Sequence, residues 1–129
     1  MIQGSAGEAT ICVLLAAILR QQRNADAGKR LERSSMVVYA SDQTHTVALK
    51  ACRILGVQFR TVKTHKSDSY GLQANAVAAA IAKDVRESED LIPIAVIATT
   101  GTTSSCAFDD LVGIAKVCHV HQLWLHVVS

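Results

Sequence analysis

The sequence has few aromatic residues, a single proline and almost no net charge. Its 129 residues include two phenylalanines, two tyrosines and one tryptophan, which argues against a surface on which nucleic-acid bases stack. The net charge of +2 is too small to suggest a phosphate-backbone partner. No apolar run approaches the ~20 residues that cross a bilayer, and the first residues lack the basic and apolar regions of a signal peptide. We therefore expect a globular cytoplasmic protein with neither a nucleic-acid nor a membrane partner.

Histidines and cysteines are present, but their spacing favours neither a metal site nor a disulfide framework. The four cysteines are widely separated, and no two of them form a C-x-x-C pair, so we expect reduced thiols. His119, His121 and His126 suggest zinc, but the first two straddle a predicted helix end and no carboxylate is placed to complete a site. We predict no metal. A hydrolase triad is equally disfavoured, because the sequence has no G-x-S-x-G motif.

Apolar runs and helical segments alternate along the chain. Strands are predicted at residues 36–40, 58–63, 94–98 and 123–127, and helices at 8–23, 44–56, 73–88 and 109–121. This alternation predicts an α/β fold with three layers and a mainly parallel sheet. The continuous apolar run at 94–98 suits a strand that is covered on both faces.

Four polar segments are predicted to meet at the carboxyl edge of this sheet, where parallel α/β proteins bind ligands. "QGSAGEA" is either an ordinary helix start or an anion site made by backbone N–H groups. "SDQTH" either caps the next helix or presents His45 to a planar ligand. "TTGTTSS" is either a solvated turn or a set of hydroxyl donors, and "THKSDSYG" is a loop.

Five segments together resemble one enzyme family in order and spacing: "IQGSAGEAT", "YASDQTH", "GVQFRTVKT", "LIPIAVIATTGTTSSCAFDDL" and "WLHV". They are similar to the pyridoxal-phosphate-dependent aromatic L-amino-acid decarboxylases, most of all to plant tyrosine, DOPA and tryptophan decarboxylases and aromatic aldehyde synthases. The resemblance implies that residues 1–129 are part of an aspartate-aminotransferase-type (fold type I) large domain. It also implies a homodimer, an aromatic L-amino acid as substrate, and pyridoxal 5'-phosphate as cofactor.

The resemblance also gives individual residues expected roles. Ala6 and Gly7 would lie against the cofactor phosphate, with Ser5 where a neighbouring hydroxyl residue is usual. The family often has serine at the position of Gly7, so one hydroxyl contact is expected to be lost. His45 matches the histidine that stacks on the pyridine ring, and Thr103 matches the threonine of the G-T-T loop beside the cofactor.

Two groups that the chemistry needs are expected to be missing. The family continues "WLHV" as "DAAYAG", and its aspartate pairs with the pyridine nitrogen; Val128 stands at that position here. The lysine that holds the cofactor covalently, carried by the family in a later "HK" motif, has no counterpart. We therefore expect a fragment with weak or absent cofactor binding and no activity alone. The alternative is a non-catalytic α/β interaction module that pairs with a full-length decarboxylase subunit.

Overall fold

The computed structural model describes residues 6–24, 31–41, 45–64, 72–88, 90–99 and 110–128. Within these ranges the chain alternates between helices and strands, with a short 3-10 turn (Arg33–Ser35) before the first strand. The elements in chain order are α1 (Ala6–Asn24), β1 (Met36–Ser41), α2 (His45–Leu55), β2 (Gln58–Val62), α3 (Ala74–Glu87), β3 (Ile92–Thr99), α4 (Leu111–His121) and β4 (Trp124–Val128). Every predicted strand and helix is confirmed, with ends that shift by one or two residues.

The four strands form one parallel sheet in the order β2-β1-β3-β4. Helices α1 and α2 pack on one face, and α3 and α4 pack on the other. The chain moves from β1 to β2 with its helix on the first face, then back to β3 and on to β4 with its helices on the second face. The later connections run along the sheet in the opposite direction and cross its opposite face. All three crossovers therefore have the same handedness. The predicted three-layer α/β architecture with a parallel sheet is confirmed.

The central strand β1 is buried on both faces. Met36, Val38 and Ala40 join the core under α1 and α2, whereas Val37 and Tyr39 join the core under α3 and α4. Alternate side chains of a strand point to opposite faces, so a strand covered twice must be apolar throughout. This is the physical reason for the unbroken run "MVVYA".

Strand β3 starts two residues earlier than predicted and carries an irregularity. Its register against β1 passes from Pro93 directly to Ala95, which leaves Ile94 as an extra residue. Because the extra residue interrupts the alternation, Ile94 and Ala95 both lie in the core under α1 and α2. Pro93 has no N–H to donate to a neighbouring strand, and it lies near the start of β3, where a proline is tolerated.

The helix ends follow local chemistry. Gly56 adopts φ +76° just beyond α2, which confirms it as the residue that ends this helix. Asp110 precedes α4, and its Oδ1 accepts a hydrogen bond of 3.2 Å from the N–H of Gly113. Among the helices described, none is both long enough and apolar enough to cross a membrane.

Candidate functional site

The carboxyl edge of the sheet contains a point where the chain reverses direction. From β1 the chain turns to β2 on one side, and from β3 it turns to β4 on the other side. The two connections leave by opposite faces, and in parallel α/β sheets such a switch point is where ligand-binding crevices form. The segments that follow these ends contain His45, which the resemblance expects to stack on the cofactor ring, and Thr103, which it expects beside the cofactor.

Helix α1 begins at the same edge. It packs against β3 and β4 through apolar residues that include Leu14 and Ile18. Thr10, in its second turn, contacts His126 two residues before the carboxyl end of β4, so α1 starts near the carboxyl edge and runs toward the amino edge. At 19 residues the helix is about 28 Å long, enough to span the sheet. The partial positive charge of its first turn therefore lies at the edge where the strands end.

A hydrogen bond joins α1 to β4 near this edge. Thr10 Oγ1 and His126 Nε2 are 3.3 Å apart, although the two residues are 116 positions apart in the chain. Thr10 is completely buried and His126 is half-buried, and burial lowers the pKa of His126 below its ordinary value. His126 pairs in register with Ile97 of β3, close to the ends of both strands. The contact connects the second turn of α1 with the middle of β4, two residues before the carboxyl end of the strand.

Sequence reasoning missed this pair. Thr10 and His126 lie in two of the family-like segments, "IQGSAGEAT" and "WLHV", but the only individual role considered for either was His126 as a metal ligand. Thr10 directly precedes the apolar segment "ICVLL", and a buried hydroxyl needs a hydrogen-bond partner, but nothing local to α1 identifies His126. Within the described ranges, no three histidine, cysteine, aspartate or glutamate side chains are grouped to hold a metal ion.

The structure places four of the six predicted site residues on elements that reach the carboxyl edge. Ala6 and Gly7 open α1, and His45 opens α2 directly after β1. Val128 ends β4 and pairs in register with Thr99, the last residue of β3. Their backbone positions bring the starts of two helices and the ends of two strands to one edge. Ser5 and Thr103 lie outside the described residues, as do the side chains of Ala6, His45 and Val128, so the predicted cofactor contacts of all six residues stay predictions.

A second polar cluster, also missed from sequence, lies on the other face of the sheet. The hydroxyl of Tyr39 donates a hydrogen bond of 2.8 Å to Oδ2 of Asp84, and Arg60 Nε donates to the same oxygen at 3.1 Å. Tyr39 is fully buried and only 4% of Asp84 is exposed. Burial, followed by the hydrogen bond to Asp84, raises the pKa of Tyr39 well above its usual range, so the phenol keeps its proton. The cluster connects α3 to β1 and β2 on the face of the sheet opposite α1.

An open apolar groove of about 820 Å³ lies on α4 and β4. It is lined by Leu111, Val112, Ala115, Lys116, His119, Val120 and Leu125. Leu125 belongs to the core under α3 and α4, so the groove opens on the face opposite α1. Its almost wholly hydrocarbon lining suits protein packing and offers little to a phosphorylated cofactor.

Comparisons with known proteins agree with this arrangement. Residues 1–128 match the pyridoxal-dependent decarboxylase conserved domain. The chain is 44% identical to tyrosine decarboxylase 2 of Narcissus pseudonarcissus and 39% identical to the aromatic-L-amino-acid decarboxylase of Sus scrofa. Each alignment covers 98% of this chain, and 25% and 26% of the two relatives respectively. The chain therefore spans about a quarter of the length of the curated relatives it matches.

Comparison of the fold with solved structures supports the same family. Tryptophan decarboxylase of Catharanthus roseus, in complex with L-tryptophan, superposes with a TM-score of 0.88 at 27% identity. The superposition covers 98% of this chain and 26% of that one. Agreement at this level over nearly every residue shows that the four-stranded sheet and its helices are a part of the same large domain. On its sequence and its fold together, this chain belongs to the pyridoxal-dependent decarboxylase family.

Proposed function

We propose that these residues form part of the pyridoxal-phosphate site of an aromatic-L-amino-acid decarboxylase, and that the 129-residue polypeptide does not catalyse decarboxylation by itself. The observation that carries the proposal is the position of the first turns of α1, where Thr10 contacts His126 of β4 two residues before the carboxyl end of that strand. The relatives support an aromatic substrate, since they include a tyrosine decarboxylase and a tryptophan decarboxylase in complex with L-tryptophan.

The phosphate end of the cofactor fits the residues present. The first N–H groups of an α-helix have no partner within the helix, and together with the helix dipole they bind anions. Ala6 and Gly7 are small, so the backbone of the first turn is accessible to a phosphate group. In this proposal the start of α1 binds and orients the phosphate, and His45 at the start of α2 covers the ring.

The pyridine end fits less well. When bound, the cofactor supplies an electron sink for the electron pair that remains after loss of CO2, and a carboxylate at the ring nitrogen keeps that nitrogen protonated. Val128 stands at the position of the family's aspartate, and its hydrocarbon side chain can neither accept a hydrogen bond from the ring nitrogen nor balance its charge. The residues present therefore hold the cofactor but do not prepare its ring for the reaction.

Covalent attachment is the second missing contribution. The family carries its cofactor-binding lysine in an "HK" motif that follows the position of Val128. None of the 129 residues matches that lysine. We propose that binding is non-covalent and weak. An exposed helix N-terminus contributes about 0.3–1 kcal/mol to the binding of an anion, roughly a twofold to fivefold gain in affinity.

Equilibrium dialysis with pyridoxal phosphate and with pyridoxal tests the phosphate contact directly. We expect the protein to prefer pyridoxal phosphate by a few-fold and inorganic phosphate to compete. Gly7→Asp places a negative charge at the start of α1 and should abolish the preference. Ala82→Asp, an exposed change on α3 at the opposite face, should leave it intact. Equal affinity for the two compounds in the wild-type protein would contradict the proposal.

Borohydride reduction followed by mass spectrometry tests the absence of covalent attachment. We expect only scattered, substoichiometric labelling of surface amines. A single lysine labelled stoichiometrically would show that another residue holds the cofactor, and Lys50, Lys63 and Lys66 would be the first to examine.

A further inference from the structure

Apolar packing alone does not define where α1 lies along β4. Leu14, Ala17 and Ile18 of α1 are buried in the core above β1 and β3, and Trp124 of β4 packs against the same core. Such contacts are strong but non-directional, so they hold the helix on the sheet without fixing its position along the strand to a fraction of an ångström. A directional contact is needed to fix that position.

The hydrogen bond between Thr10 and His126 supplies such a contact. It joins Oγ1 of a fully buried threonine to Nε2 of a half-buried histidine at 3.3 Å. Thr10 stands one helical turn beyond Ala6, and His126 stands two residues before Val128. The contact therefore lies between the part of α1 assigned to the cofactor phosphate and the part of β4 assigned to the cofactor ring.

The chemistry of the pair suits a geometric role. A neutral imidazole either accepts a hydrogen bond from the threonine hydroxyl or donates one to it, so both tautomers keep the contact. Burial lowers the pKa of His126, so the ring is mostly neutral near pH 7 and adds little positive charge beside a bound phosphate. Its influence on an anion must therefore come through the position of α1 rather than through direct charge.

We infer that Thr10 and His126 are positioning residues, which set the distance between the start of α1 and the end of β4 and so adjust the phosphate contacts of the cofactor site. The inference rests on the proposed function. A rigid ligand that is held at both ends binds well only when the two ends of its site are correctly spaced, and small errors of placement are costly.

The test compares two variants that differ by one hydroxyl. Thr10→Val keeps the shape of the side chain and removes the hydroxyl, whereas Thr10→Ser keeps the hydroxyl. We expect Thr10→Val to reduce the preference for pyridoxal phosphate over pyridoxal toward unity, with a loss of affinity for pyridoxal phosphate of about twofold to fivefold. Thr10→Ser should retain most of the preference. Thr61→Val, the same change at an exposed position of the edge strand β2, is the control and should behave as wild type.

His126 provides an independent pair of variants if Thr10→Val does not fold. His126→Gln keeps an N–H group that can reach the threonine, and His126→Leu does not. We expect the glutamine variant to retain the preference and the leucine variant to lose it. The double variant Thr10→Val/His126→Leu should lose no more than the worse of its two parents, because both changes remove the same contact.

The outcomes separate the two proposals. If the wild-type protein prefers pyridoxal phosphate and folded Thr10→Val and His126→Leu proteins keep that preference while only their urea midpoints fall, the pair is purely structural and the inference is wrong. If the wild-type protein has no preference, both the proposed function and this inference are overturned. A preference that is lost in Thr10→Val and restored in Thr10→Ser supports both.

Discussion

Removal of the Tyr39 hydroxyl should destabilise the protein measurably. In Tyr39→Phe the ring still fills its place between β1 and α3, but Oδ2 of Asp84 loses a donor at 2.8 Å. Hydrogen bonds to charged groups contribute about 1.5–3 kcal/mol when buried. Because Arg60 continues to donate to the same oxygen, we expect a loss near the lower end, about 1.5–2 kcal/mol in the free energy of unfolding.

Arg60→Met is the matched comparison within the same cluster. Its side chain is 40% exposed, whereas that of Asp84 is only 6% exposed, so solvent screens the charge of Arg60 from one side. Partly exposed ion pairs contribute about 0–1 kcal/mol, and methionine preserves most of the apolar stem. We expect Arg60→Met to cost less than Tyr39→Phe. The order of the two losses tests whether the buried hydroxyl is the stronger anchor.

Asp84→Ala completes the comparison. It leaves the Tyr39 hydroxyl buried without its carboxylate partner, so it should cost more than Tyr39→Phe. The double variant Tyr39→Phe/Asp84→Ala should be more stable than the sum of its parents predicts, by about 1 kcal/mol, because no orphaned hydroxyl remains.

Urea unfolding followed by circular dichroism measures all four variants, with the midpoint falling and the slope unchanged. A Tyr39→Phe protein as stable as wild type, or less affected than Arg60→Met, would refute this account of the cluster. Additive losses in the double variant would show that the two groups do not act together.

Three further predictions follow from burial and charge. The folded-state pKa of His126 lies below its ordinary 6.5, so the stability that this residue contributes is present above pH 6.5 and is lost as the pH falls through the folded pKa. The urea midpoint should therefore drop on acidification, and it should drop less in His126→Gln. Burial raises the pKa of the Cys52 thiol to about 12 and that of the Cys118 thiol to about 11. In a Cys106→Ser protein, a thiol reagent should therefore label exposed Cys12 first, and Cys52 and Cys118 only upon unfolding. Val127 is 43% exposed on β4, at the edge of the described sheet, and exposed apolar edge strands promote association between molecules. Val127→Lys should therefore raise the monomer fraction in sedimentation experiments; an unchanged fraction would show that molecules do not associate through this edge.

The fold was largely predictable because its strands are covered on both faces. A strand such as β1 must be apolar at every position, and a continuous apolar run between helical segments is a strong indicator of a parallel sheet. Gly56 was predictable for a local reason, since a positive φ at a helix end favours glycine. Features that depend on one residue and its own backbone were thus accessible from sequence.

Features that depend on distant partners were not accessible. The extra residue Ile94 in β3 becomes visible only when β1 lies beside it, because local sequence gives no register. Asp84 resembles any charged helix residue until Tyr39 is found opposite it. The candidate site shows the same division: topology predicts which strand and helix ends lie at one edge, but the pairing of Thr10 with His126 joins residues from opposite ends of the chain.

Release of CO2 from aromatic L-amino acids tests the central claim most directly. The purified 129-residue protein is incubated with pyridoxal phosphate and tyrosine, DOPA or tryptophan, beside a control that contains the cofactor without protein. Because the family resemblance expects an aspartate at the position of Val128, and none of these residues matches the family's lysine, we predict release equal to the control. Release above the control that scales with protein concentration would contradict the account.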